Sequence, residues 1–363
     1  MPPDYCFPYQ LESVDALKAA LQLNPRDARA AYYLGNLLYD VQPENAMIAW
    51  QESIKNDPSF AIAHRNLGLA LARVKNDLPG GIARLERAVQ CDPKEPRFYA
   101  ELDTLYERAS VPHQKRLASL EKNHETVRTR DDSLLREIGL KVMVGQYDQA
   151  IGLLENRHFH LWEGGDDELS NVHELNVDAH LLRGQESFRA RKYQEALKDF
   201  EAALDYPDRF EMGRPYRGGR EPQIYYLIGT AYEALGNAAQ AKESYRKSLE
   251  MKLGRGDSRQ PLLYFQGLSC RRLGQAAKAA QIFDDLIRNG QQRLRGQSAD
   301  FFAKFGGARS ESAEKAQAHY LTGLGYLGKG LTVQARQELE AAHRLDINHL
   351  GVQTQLAALP IQK

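Results

Sequence analysis

The feature that most constrains this chain is a glycine that keeps returning in the middle of one amphipathic pattern. "AAYYLGNLLYD", "AHRNLGLALAR", "QIYYLIGTAYEALG", "LLYFQGLSCRRLG" and "AHYLTGLGYLGKG" vary one theme, with Gly35, Gly68, Gly229, Gly267 and Gly323 in equivalent places. A mid-helix glycine costs roughly 1 kcal/mol against alanine. Its recurrence therefore predicts a neighbouring helix too close to admit a side chain. Twelve positions after the glycine comes another small residue, in the pairs Gly184–Ala196, Gly229–Ala241, Gly267–Ala279 and Gly323–Ala335. Four further on stands a bulky one: Phe200, Tyr245, Phe283 or Leu339. Three beyond that stand Ala203, Ser248, Leu286 and Ala342. Small, large and small or apolar at that spacing form one stripe on a second helix.

The first half repeats the pattern with slips. Gly35, Ala46, Trp50 and Ser53 form a unit one residue short in its turn, and Gly68, Gly81, Leu85 and Ala88 a unit one residue long. Pro25, Pro58 and Pro93 close three successive units, where proline stops one helix and can open the next segment. A further unit contains Gly139, Gly145, Tyr147, Ala150 and Leu154.

These residues resemble the tetratricopeptide repeat, a helix–turn–helix of about 34 residues. The resemblance covers most of 27–346 and is weakest over 96–129, where the small residues are replaced. It implies an all-α fold: a right-handed α-solenoid of about seven to eight antiparallel helix pairs with three inserted loops. The expected division is an N-terminal segment and half repeat (1–26), N-terminal repeats (27–155), a His/Trp/Gly insertion (156–176), C-terminal repeats (177–346), and a capping helix with tail (347–363). The first helix of the opening repeat is missing, and repeat arrays need capping ends. Met1 is accordingly read as a fragment boundary.

Composition excludes several partners. Lys and Arg together number 48, as do Asp and Glu. A neutral chain without a basic block argues against nucleic acid or an anionic membrane as partner. Cys6, Cys91 and Cys270 stand far apart and form no metal-type CxxC pair and no disulfide framework. No apolar run approaches the roughly 20 residues of a membrane span, and no signal peptide is visible. A cytoplasmic location follows as the expectation.

A narrower resemblance spans nearly the whole chain. "PDYCFPYQLE", "DPSFAIAHRNLGLA", "ELDTLYERASVPHQKRLASLEK", "RHFHLWEGG", "FEMGRPYRGGREPQIYYLIGTAYEALG" and "DINHLG" occur in that order. Together they resemble the C-terminal repeat region of large bacterial proteins with an N-terminal β-rich domain, a family linked to carbohydrate utilisation. The resemblance implies a non-catalytic scaffold that docks such a domain, with carbohydrate as a further candidate ligand. A peptide-binding adaptor is the alternative, and a part of a glycan-processing active site supplied by the inserted loops is the third.

Stacked helix pairs line a concave face with the first helix of each pair. Offsets from the glycine place Tyr32, Arg65, Tyr226, Tyr264 and Tyr320 three residues before it, Asn36 and Thr230 one after, and Tyr39 and Glu233 four after. Tyrosines there form either an aromatic ladder for a peptide or sugar or part of the packing between helices. The loops carry the other candidates. "DRFEMGRPYRGGRE" holds Arg214, Arg217 and Arg220, which can fork to carboxylate or phosphate or stay on a solvated crossover. "RLRGQSADFFAKFGGARSE" holds Phe301, Phe302 and Phe305, for docking or for covering a groove. "NRHFHLWEGGDDE" holds His158, His160, Trp162 and Glu163, with His173 beyond. These include metal-ligand types, but His-x-His is a strand spacing and neither HExxH nor CxxC accompanies it. No metal and no cofactor are expected; Phe159 and Trp162 are expected to tuck under the preceding helix pair.

Overall fold

The computed structural model describes residues 8–10, 12–160, 172–213, 219–251, 260–296 and 311–360. Among them every regular element is helical. None of these helices is long and apolar enough to cross a membrane. The chain forms two units, Met1–Leu140 and Lys141–Lys363.

The N-terminal unit begins with the lone helix α1 (Glu12–Leu23). It continues through α2 (Ala28–Leu38), α3 (Pro43–Asn56), α4 (Ala61–Val74), α5 (Leu78–Cys91), α6 (Pro96–Arg108), α7 (His113–Glu121) and the single turn α8 (His124–Val127). Helix α9 (Asp131–Met143) carries the chain into the second unit. There α10 (Tyr147–Glu155), α11 (Val172–Arg189), α12 (Tyr193–Ala202), α13 (Glu221–Ala234), α14 (Ala238–Glu250), α15 (Leu262–Arg272), α16 (Ala276–Leu294), α17 (Glu311–Lys329), α18 (Thr332–Leu345) and α19 (Leu350–Ala358) follow. Within each unit a helix packs on the next to make a pair, and the second helix of a pair packs on the first of the following one. The fold is the expected all-α repeat of helix pairs.

The recurring glycine has a direct cause. A Cβ at Gly184, Gly229 or Gly267 would stand 2.6, 2.5 or 2.5 Å from the ring of Phe200, Tyr245 or Phe283, each on the second helix of the same pair. Gly35 faces Trp50 in the same way, and Gly323 faces Leu339 at 3.0 Å. The long unit solves the problem differently. Gly68 and Gly81 approach backbone to backbone, a Cβ on either lying within 2.9 Å of the other's carbonyl oxygen.

Turn geometry accounts for the short unit. Gly145, Gly236, Gly274 and Gly330 end their helices with φ of 85°, 77°, 78° and 78°. Asn76, Ser110 and Arg191 take the same left-handed place in α4–α5, α6–α7 and α11–α12. The α2–α3 turn has no left-handed residue, and that unit is the one shortened by a residue.

The weak region keeps its helices and changes its glue. Arg116 is 1% exposed and forks onto Asp103, itself 2% exposed, with both N···O distances 2.8 Å. Arg136 reaches Asp103 at 2.8 Å and Glu107 at 2.6 Å. A buried ionic network thus joins α6, α7 and α9 where other units use a ring against a glycine. Every charge in it is countered, as burial demands.

Candidate functional site: an inner-face cavity in the C-terminal unit

Five first helices of the C-terminal unit surround a cavity of about 440 Å³. Glu174 and Asp178 lie one helical turn apart on α11, so both carboxylates share a face. Arg220, the residue that opens α13, spans them: Nη1 to Glu174 at 2.9 Å and Nη2 to Asp178 at 2.9 Å. Its guanidinium also donates to Gln223 Oε1 at 2.8 and 3.0 Å. The opposite wall comes from Phe265 on α15, Gln317 and Tyr320 on α17, and Thr354 and Gln355 on α19.

His349 locks α19 in place. Its Nδ1 accepts the Val352 N–H at 3.2 Å and so caps the helix. That leaves Nε2 as the donor to Gln317 Oε1, 3.0 Å away. The His349 ring lies 4.5 Å from that of Tyr320. Gly351 lets the two approach, since a Cβ there would stand 2.6 Å from Tyr320 Oη. Burial, with a further push from Asp178, raises the Tyr320 pKa well above the ordinary phenol value. The hydroxyl stays protonated and remains a donor.

Not every candidate from the sequence comes to this site. Tyr32 is 1% exposed, wedged against Tyr33 and Phe60 in the N-terminal unit's core. It is a core residue and not part of a ladder, because its ring turns into the seam between two helix pairs. Tyr226 and Tyr264 are half-buried, and both have rings beside Phe265, at centroid distances of 5.9 and 5.2 Å. They form the packed floor behind the cavity, and burial raises both their pKa values. Only Tyr320 among the four tyrosines lines it. Thr230 donates to the Leu227 carbonyl of its own helix at 2.6 Å. Glu233 accepts from Tyr245 at 2.7 Å and Arg272 at 3.1 Å.

In the N-terminal unit the remaining candidates are joined in a polar track. Asn36 Oδ1 accepts from Trp50 Nε1 at 3.0 Å and from Asn66 at 2.9 Å. Asn66 accepts from Arg65 at 3.0 Å, and Arg65 pairs with Glu101 through Nε at 2.8 Å. Tyr39 lies against Trp50, centroids 5.4 Å apart.

Arg220 belongs to the cavity rather than to a solvated crossover. His173 sits on α11, stacked 3.8 Å from Tyr206, and away from the other loop histidines' shared partner. His158 and His160 both meet Glu211. Trp162, Glu163, Arg214, Arg217, Phe301, Phe302 and Phe305 lie outside the described residues.

The residues missed from the sequence stand six before the glycine. Asp178, Gln223, Pro261 and Gln317 precede Gly184, Gly229, Gly267 and Gly323 by that interval, and all four line the cavity. Three of the four are polar, and their common interval from the glycine was the available signal.

A tetratricopeptide repeat model matches residues 222–254, and a second matches 42–96. These two stretches carry tetratricopeptide repeats. Such repeats mediate protein–protein interaction and peptide binding. Among solved structures, a tetratricopeptide repeat protein from Parabacteroides merdae is 14% identical, with 83% of this chain and 98% of that one covered and a TM-score of 0.44. YrrB, described as a TPR protein with an unusual peptide-binding site, is 18% identical over 65% of this chain and 92% of that one, with a TM-score of 0.29.

Proposed function

We propose that this chain is a non-catalytic protein-interaction scaffold whose C-terminal unit holds an extended peptide segment in the inner-face cavity. The observation that carries this reading is the lining itself. Gln185 and Gln355 each offer an amide donor and acceptor, the pairing that an extended backbone needs, while Gln223 and Gln317, whose oxygens accept from Arg220 and His349, add amide donors. Leu182, Phe265 and Tyr320 supply apolar wall between them. Glu174 and Asp178 outnumber Arg220 by one negative charge, which favours a segment bearing a Lys or Arg. The lining hydroxyl of Thr354 is donated to the Leu350 carbonyl, and His349 is engaged as a helix cap, so neither is poised as a nucleophile or base.

Peptide is favoured over carbohydrate by burial. A sugar needs an open aromatic face, whereas Phe265 and Tyr320 are 7% and 6% exposed. The narrower sequence resemblance adds a source for the segment: the N-terminal β-rich portion of a carbohydrate-utilisation parent protein.

Peptide display against the whole chain tests the reading. Selected binders are expected to be enriched in Lys or Arg. Their affinity is expected to fall at least about tenfold, or 1.4 kcal/mol, in the double variant Gln185→Arg, Gln355→Arg. Affinity unchanged in that variant would rule the cavity out.

A further inference from the structure

Two insertions that an ordinary repeat does not need meet on the surface of the C-terminal unit. The Phe159 N–H donates to the Arg209 carbonyl at 2.8 Å, and the Phe159 and Phe210 rings pack edge-to-face at 6.1 Å. Both phenylalanines are buried, at 2% and 0% exposure. Arg157 and Arg209 lie over the Phe159 and Phe210 rings, 5.7 and 4.9 Å from their centroids. Arg209 Nε also donates to the Leu154 carbonyl at 3.1 Å, which ties the contact to the end of α10.

Alternation along an extended segment does the rest. With Phe159 turned inward, His158 and His160 both turn outward, their rings 5.0 Å apart. Glu211, next to Phe210, rises to meet them. His158 Nε2 lies 2.8 Å and His160 Nδ1 3.1 Å from the same oxygen, Glu211 Oε1. Glu211 achieves this in the left-handed region, φ 50°, which a non-glycine residue adopts at a cost. Among the described residues this is the one cluster of three His, Cys, Asp or Glu whose ligand atoms all lie within 4.8 Å of one another.

We propose that His158, His160 and Glu211 form a binding site for a divalent transition-metal ion, with Zn²⁺ the best match. Two imidazole nitrogens and one carboxylate oxygen suit borderline ions such as Zn²⁺ or Ni²⁺, while Mg²⁺ and Ca²⁺ take oxygen ligands. Zn–N and Zn–O bonds of about 2.1 Å at tetrahedral angles separate ligand atoms by about 3.4 Å. The two histidine–carboxylate distances, 2.8 and 3.1 Å, would open by about 0.6 and 0.3 Å to reach that value. The three side chains are exposed, which leaves the fourth position to water or to a group on a partner. The buried phenylalanine pair provides a fixed base, so the ion would clip together two segments some fifty residues apart in sequence.

The probe is Zn²⁺ itself, titrated calorimetrically into the chelator-treated full chain, with Mg²⁺ and Ca²⁺ as controls. One saturable Zn²⁺ site is expected, with no comparable Mg²⁺ or Ca²⁺ binding. Affinity is expected to drop at least about tenfold in Glu211→Ala and in the double variant His158→Ala, His160→Ala, since even outer-shell partners of a metal carry losses of that size. All three side chains are exposed, so the variants are expected to keep the wild-type melting temperature in chelator, and Zn²⁺ is expected to raise it only in the wild type. No saturable binding, or equal affinity in the double variant, overturns the site. Binding that survives Glu211→Ala overturns the three-ligand assignment.

Discussion

The ring of Tyr245 fills the space beside Gly229 so closely that a Cβ there would stand 2.5 Å from Tyr245 Cε1. The ring cannot swing aside freely, because its hydroxyl donates to Glu233 at 2.7 Å. Gly229→Ala is therefore expected to lower stability by about 1–3 kcal/mol through overpacking. Gly152 is the matched control, a glycine inside α10 with nothing within 4 Å of an added Cβ. Gly152→Ala is expected to raise stability by about 0.5–1 kcal/mol. Denaturant melts of the two variants check opposite signs for one substitution.

A second expectation concerns the network in the N-terminal unit. Asp103 accepts from both Arg116 and Arg136 and is 2% exposed. Asp103→Ala would remove the acceptor that the two buried guanidiniums share. Breaking a buried pair from one side costs about 3–5 kcal/mol, and a loss of that size is expected in urea unfolding. A loss below about 1 kcal/mol, the scale of a surface ion pair, would show that solvent already screens the network.

The pH dependence follows from His173. Burial lowers its pKa below the ordinary imidazole value of 6.5, with the Arg220 charge adding to the effect against Glu174, Glu221 and the Asp205 carbonyl. The folded state keeps the ring neutral while the unfolded chain takes up a proton as pH falls below 6.5. Its contribution is therefore present above that pH and is lost progressively until the lower folded value is reached. His64, also shifted down by burial, acts in the same direction. His173→Phe retains a ring against Tyr206 without the titration. The melting temperature of the wild type is expected to fall more steeply between about pH 7 and pH 5 than that of the variant. Parallel curves would remove His173 from the account.

Much of the fold was legible because the glycine and the ring that fills it are adjacent in one repeat. Gly184, Gly229, Gly267 and Gly323 each named their partner at a fixed interval. The ionic unit was less legible, since no repeat spacing links Arg116 to Asp103 before α6, α7 and α9 bring them together. The cavity was half visible. The offset three before the glycine found Tyr320, but equivalent position did not mean equivalent exposure, and Tyr32 went into the core. The lining at Asp178, Gln223 and Gln317 lies a further helical turn back. Glu211 could not be paired with His158 and His160 from spacing, because the contact depends on how two separate insertions fold over Phe159 and Phe210.

The central claim is that the inner face of the C-terminal unit is the binding surface. The most direct measurement is photo-crosslinking of a display-selected peptide carrying a benzophenone, with the adducts mapped by mass spectrometry on the full chain. The account predicts adducts on cavity residues such as Leu182, Phe265, Tyr320 and Thr354. Adducts confined to the second helices α12, α14, α16 and α18 would contradict it.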